Sequence, residues 1–288
     1  CLAMVLFRCR SLQVGPEVSS IVLLAGILAV APFVGLRQEN FGLFFLMLFS
    51  VLVTVNGLSR RVRFIALLLV MALWCNFHGS FMLGIALIAL KAVLVSVRAF
   101  LARRSGLSGP SGLDAAEWWV LAGASVIVCG LASPYGFGNI TMPFRQLGTA
   151  TITEHSADWL PLWRFQKIDE GLFAGGSAWP YLAYVTVLVV ALVSLVFHTR
   201  RFPDRTAAVL TSSKSDWIME AAIALVSVVL ALRFGRFVLF SALSLVPSTA
   251  LIVHTLVVHL RRDDMGQEST RREMRLAMVA GFALAVLM

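Results

Sequence analysis

The chain has 288 residues, of which 59% are hydrophobic and 14% charged, with a mean hydropathy of +0.87. A soluble domain carries about 45–50% apolar and about 25% charged residues, so an ordinary soluble globular protein is excluded, and with 9 Pro and little polar low-complexity sequence so is disorder. The formal net charge of +9 reads first as a topology signal in a membrane chain; nucleic acid is not an expected partner.

A helix needs about 17–25 apolar residues to cross the hydrocarbon core. Taken in chain order, the runs that approach this length predict spans at 20–36, 41–58, 62–74, 79–97, 118–133, 181–197, 217–232 and 237–260, with a truncated run from 276. Residues 1–7 read as the tail of an earlier span. The chain starts at Cys1 and stops at Met288 inside an apolar run, so it reads as a fragment open at both ends. Lipid offers the backbone no hydrogen-bond partners, and no run shows the two-residue alternation of a barrel strand. The predicted fold class is therefore all-α: a polytopic transmembrane helical bundle of about eight complete spans plus a truncated one. It forms a single domain over 1–288, with a long extracytoplasmic loop at 134–180. The run at 62–74 covers only about 20 Å at about 1.5 Å rise per residue. Either Asn76 and His78 continue that helix, or they sit in a recess below the interface.

Lys and Arg alternate between loops. Of the 24, 17 fall in one set of loops, around Arg8 and Arg10, Arg60 to Arg63, Arg98 to Arg104, Arg200 to Lys214, and Arg261 to Arg275. The other set holds 6, and Lys91 lies within a span, where its long stem is expected to snorkel inward. Cytoplasmic loops retain basic residues, so the first set is inside.

The polar clusters then gather on the outer face. The short turn after the first span carries Arg37, Gln38 and Glu39, and Glu39 is a candidate base. The segment Trp74-Cys75-Asn76-Phe77-His78-Gly79 puts an amide and an imidazole at a membrane boundary, where uncompensated polar groups cost free energy. Ser133-Pro134-Tyr135-Gly136 reads as a turn, because Pro stops a helix and Gly permits the reversal. The long loop also brings Glu154 and Asp158 together with His155 and Trp159, and a spacing of four puts the two carboxylates on one helical face. Arg233 and Arg236 share a helical face at an outer junction, and their planar forks suit a phosphate. Each cluster also has a plain structural reading: a tight polar turn, helix–helix hydrogen bonds, an amphipathic loop at the headgroups, or attraction to anionic lipid. Cys1, Cys9, Cys75 and Cys129 form no C-x-x-C pair and read as apolar fillers. His254 and His259, five apart with no carboxylate facing them, do not make a metal site. The chain has no phosphate-binding glycine loop, zinc-protease string or serine-nucleophile elbow.

The outer-face strings follow one order: R-x-x-x-F from Arg37 to Phe41; W-x-N-x-H-G-x-F-x-x-G through Trp74, Asn76, His78, Gly79, Phe81 and Gly84; the P-Y-G turn; an acidic-Trp element; and L-R-x-x-R at 232–236. Together they resemble a bacterial family of polytopic membrane proteins similar to the GT-C glycosyltransferases, which use polyprenyl-phosphate sugars. Ser133 stands where the family's N-P-Y-G has Asn, and the acidic-Trp pair is spread over 154–159. The resemblance implies sugar transfer at the outer face of the bacterial cytoplasmic membrane, with membrane lipids and a polyprenyl-phosphate-linked sugar as partners. Glu39, His78, Glu154 and Asp158 become catalytic candidates, and Arg37, Trp74, Asn76, Tyr135, Arg233 and Arg236 substrate-binding ones. It also implies that the family's acidic residue of the first outer loop lies upstream of Cys1. No cofactor or metal ligand is assigned, although a divalent metal is compatible with the chemistry. The alternatives from other classes are a lipid or polysaccharide transporter or flippase, and a non-catalytic membrane assembly subunit. The basic-loop asymmetry predicts that a cysteine placed at position 167 is labelled by an impermeant maleimide added outside intact cells, whereas one at position 104 is not; the opposite pattern reverses the topology.

Overall fold

The computed structural model describes residues 1–30, 39–55, 57–105, 109–147, 181, 184–186, 188–189, 216–233 and 237–263. These residues are overwhelmingly helical, with no strand among them. In chain order the helices are α1 (Leu2–Ser11), α2 (Pro16–Val30), α3 (Glu39–Thr54), α4 (Arg60–Phe77), α5 (Phe81–Ser105), α6 (Gly112–Ala132), α7 (Gly138–Leu147), α8 (Trp217–Arg233) and α9 (Val238–Asp263). Among the described residues three stretches are long and apolar enough to cross a membrane, Phe81–Ser105, Gly112–Ala132 and Val238–Val257, and two shorter apolar helices are Pro16–Ala29 and Phe41–Thr54. The chain is an all-helical membrane protein. Most of the predicted span at 181–197 and all of the run from 276 lie outside the described residues.

The chain divides into two compact units. One contains Leu36–His155, and the other contains Leu2–Gly35 with Ser156–Met288.

In the first unit, α4 shows why these helices form and how they pack. Leu67, Val70, Met71, Trp74 and Cys75 recur at helical spacing and are buried. On another face Ile65, Leu69, Leu73 and Phe77, each four residues from the next, are exposed. Soluble surfaces rarely carry such a continuous apolar stripe, and α5 and α6 bury only 33% of their apolar windows. Lipid is the solvent these faces suit. Where α4 meets α5, Gly84 is obligatory: a β-carbon there would stand 2.6 Å from Met71 Sδ and 2.8 Å from the Trp74 ring. Trp74 is fully buried, with Phe45 and Phe49 of α3 at ring-centroid distances of 6.0 and 5.9 Å. At the opposite end, Ser111 and Asp114 form a reciprocal capping box that starts α6. Arg60, the first residue of α4, pairs with Asp114 and with Glu117, the latter at 2.7 Å. The arginine-bearing start of α4 and the acidic start of α6 thus lie together.

Of the two alternatives for the end of the third run the first holds for Asn76, and one expectation, that for Lys91, is corrected. The short run at 62–74 is part of an 18-residue helix; Asn76 continues it because its side-chain amide donates to the carbonyl of Ala72, 2.8 Å away. Lys91 does not reach out to an interface. It is 5% exposed, and its Nζ lies 5.5 Å from the centroid of the Trp118 ring, where the face of the indole attracts the cation.

In the second unit α9 is central, with 72% of its apolar window buried. Across it Tyr181 and Ser241 hydroxyls lie 2.6 Å apart. The hydroxyls of Tyr184, Ser244, Ser248 and Thr249 are buried without a hydrogen-bond partner among the described residues, around Pro247 in the interior of α9. Helix α1 ends in a Schellman motif: Gln13 takes a φ of 61°, Val14 N–H donates to Cys9 O at 3.1 Å, and Gln13 N–H donates to Arg10 O at 3.0 Å. Arg8, expected as an inside-loop cation, lies within α1 and is fully buried. Its Nε donates to Glu220 Oε1 at 3.1 Å, and its Nη2 pairs with Oε2. Glu220, in the first turn of α8, is fully buried too.

Removing one partner of a buried pair strands the other charge, at a cost of about 3–5 kcal/mol, whereas replacing both with apolar groups is nearly neutral. Glu220→Ala is therefore expected to lower the apparent Tm of the detergent-solubilised chain sharply, and Arg8→Met with Glu220→Leu to recover most of the loss in the same thermal scan.

Candidate functional site

The polar groups of the first unit collect at the end of α4 away from Arg60. Helix α4 stops at Phe77 because His78, its C-cap, takes an extended backbone (φ −161°, ψ 142°) while its N–H still bonds Trp74 O. The two-residue turn Gly79-Ser80 leads into α5. Ser80 joins the turn together. Its backbone N–H donates to His78 Nδ1 at 3.0 Å, and its hydroxyl lies 2.7 Å from the same nitrogen. The indole N–H of Trp74 donates to that hydroxyl at 3.1 Å. Because Nδ1 accepts the backbone N–H of Ser80, a neutral His78 carries its proton on Nε2, and the Ser80 hydroxyl then donates to Nδ1.

Helix α6 brings a second turn to the same end. Gly136 N–H donates to Ser133 O at 3.0 Å, and Gly136 has a φ of 56°, a left-handed value that glycine adopts without strain. The turn expected at Ser133-Pro134-Tyr135-Gly136 is thus present. It folds Phe137 back over α6 so closely that a β-carbon at Gly130 would stand 2.4 Å from the ring. Asn139, in the first turn of α7, uses its side-chain amide twice: to Cys75 O at 2.9 Å and to Ser133 Oγ at 3.0 Å. This amide ties the α6–α7 turn to the end of α4.

The sequence candidates are distributed as follows. Trp74 is a core side chain with its indole N–H engaged in the turn. Asn76 is exposed and bonded back to its own helix, also approaching Cys75 Sγ at 3.5 Å. His78 is half-buried, and Tyr135 stands 78% exposed at its turn. Glu39 is the first residue of α3. Two residues on, Phe41 stacks on Phe77 at 5.7 Å, so the start of α3 lies at the same end as His78. Arg233 closes α8 in the second unit and is exposed. Arg37, Glu154, Asp158 and Arg236 lie outside the described residues. Among the described residues no group of three or more His, Cys, Asp and Glu is placed to hold a metal.

Sequence reasoning passed over Ser80, Asn139 and Glu220. Ser80 had a local signal, a hydroxyl two residues after His78 in a tight turn. Asn139 and Glu220 had none, since their partners are 64 and 212 residues away. Comparisons with protein-family models, curated proteins and solved structures found no match.

Asn139→Ala removes the tie from the α6–α7 turn to Cys75 of α4, together with the bond to Ser133 within the turn, while leaving the helices intact. At about 1 kcal/mol for a net hydrogen bond, hydrogen exchange at the amides of Gly136, Asn139 and Ile140 is expected to quicken roughly fivefold, with the α4 amides unchanged.

Proposed function

We propose that this chain is a multi-pass protein of the bacterial cytoplasmic membrane, GT-C-like with about eight spans, that transfers a sugar from a polyprenyl-phosphate donor at the outer face. The observation that supports this reading is the polar turn of His78, Ser80 and Trp74 at the end of the first unit opposite the Arg60–Asp114–Glu117 cluster. A donor of this kind is a lipid at one end and a phosphodiester at the other. Its enzyme needs apolar helices for the isoprenoid, hydrogen-bond donors for charge on the phosphate, and a base for the acceptor hydroxyl.

His78 fits the second requirement. His78 is proposed for that role with its ring positioned by Ser80 through Nδ1, and there it serves as an electrostatic stabiliser and not as the base. Glu39 is the carboxylate proposed for the base, on the ground that α3 starts at this end. Arg233 and Arg236 are proposed to hold a phosphate, by the two-pronged hydrogen bonding that guanidinium offers and ammonium does not.

A second reading, a non-catalytic assembly subunit, is favoured by one observation: the polar atoms of the turn bond within the turn, and Asn76 bonds within α4. Measuring transfer from a polyprenyl-phosphate sugar in reconstituted membranes separates the two. Under the enzyme reading His78→Ala lowers the rate roughly 10²-fold, the usual loss for one oriented donor. Arg233→Gln and Arg233→Lys then both lose activity. If the parent chain gives no transfer above protein-free membranes, the chain is a structural subunit.

A further inference from the structure

We propose that Cys75 and Cys129 form a redox pair, a site of disulfide formation that clamps α4 to α6 beside the His78 turn. The proposal goes beyond sugar transfer and does not depend on it. Cys75 lies in the last turn of α4 and Cys129 in the last turn of α6. Both are free thiols and both are buried. Cys129 Sγ lies 3.8 Å from the carbonyl of Met71, the residue one helical turn before Cys75 on the same buried face of α4. In a helix the carbonyl of residue 71 faces the amide of residue 75, so Cys129 Sγ lies against the turn of α4 that carries Cys75. Two further contacts hold this end together: the Asn139 amide on Cys75 O, and Phe137 packed onto Gly130, the residue after Cys129.

A disulfide requires β-carbons about 3.5–4.5 Å apart, a separation that facing thiols on packed helices approach through side-chain rotation and small helix shifts. The pair also lies at the end that the arginine asymmetry assigns to the outside, where thiols meet oxidising conditions. The co-reactant is a small disulfide. One cysteine thiolate attacks it, forming a mixed disulfide and expelling one reagent thiolate. The second cysteine then attacks the protein sulfur of that bond, closing Cys75–Cys129 and expelling the other. The two cysteine protons end on the two reagent thiols, so two protein thiols are oxidised and one external disulfide is reduced. Burial slows entry of the reagent but favours ring closure once the mixed disulfide exists, because the second thiol is already alongside.

The test is to treat the full chain in detergent micelles with oxidised glutathione, alkylate the remaining thiols, digest without reduction and map the peptides by mass spectrometry. The expected result is a linked pair of peptides carrying Cys75 and Cys129, a raised apparent Tm, and reversal of both by dithiothreitol. In the Cys129→Ser variant, Cys75 is expected to be recovered as its mixed disulfide with glutathione. The same chain unfolded in dodecyl sulfate before oxidation should show no preference for this pairing. Recovery of both cysteines unlinked from the folded chain after Cys1 has fully reacted overturns the proposal. So does linkage of Cys75 to Cys1 or Cys9 as often as to Cys129. If Cys129→Ser does not accumulate, the comparison of folded with unfolded parent chain decides alone.

Discussion

A guanidinium and a carboxylate with no exposed surface are the strongest constraint in the second unit. An isolated charge in a low-dielectric interior costs many kcal/mol, and only a partner with good geometry offsets it. Arg8 and Glu220 meet that condition with two hydrogen bonds. The requirement is positional. Sliding α1 or α8 by one residue turns a charge toward apolar side chains, so the pair sets the register of two helices whose apolar surfaces would by themselves permit several. Tight reversal after α1, with Gln13 in a left-handed conformation, then delivers the chain into α2, which packs on α9.

The first unit reaches a unique packing by sterics. Gly84 admits the Trp74 ring against α5, and Gly130 admits Phe137 against α6. The ends of α4 and α6 meet where Cys129 Sγ lies against Met71 O and Asn139 reaches Cys75 O, and hydrogen bonds from Ser80 and Asn139 satisfy polar atoms that the turns leave behind. A residue-level consequence is that Trp74, Gly84 and Phe81, which carry part of the resemblance to glycosyltransferases, also have a complete packing explanation. His78 is the member of that string whose chemistry exceeds what packing asks of it.

Helix positions were legible because hydropathy reports directly on burial in lipid, and the Pro-Tyr-Gly turn was legible because its glycine is required by a backbone angle. What escaped was pairing at a distance. Hydropathy ended a span before Asn76 because it counts an amide as polar whether or not the carbonyl of Ala72 satisfies it. Lys91 looked like an interface residue because Trp118, which accepts its charge, lies on the next helix. Arg8 looked like a loop cation and Glu220 like an incidental carboxylate, and only the fold brings them together. The cysteines looked scattered for the same reason. Local chemistry survives in one dimension, whereas contacts between helices do not.

The hydroxyls around Pro247 bear on how this protein tolerates change. A buried polar group without a partner costs about 1–3 kcal/mol, and among the described residues Ser244 and Ser248 carry such an oxygen in α9. At these two positions apolar replacements of similar size are expected to gain free energy where a core ordinarily loses it. That leaves the second unit with unused thermodynamic headroom in its own centre, the part of a helical bundle where most proteins have least room to improve.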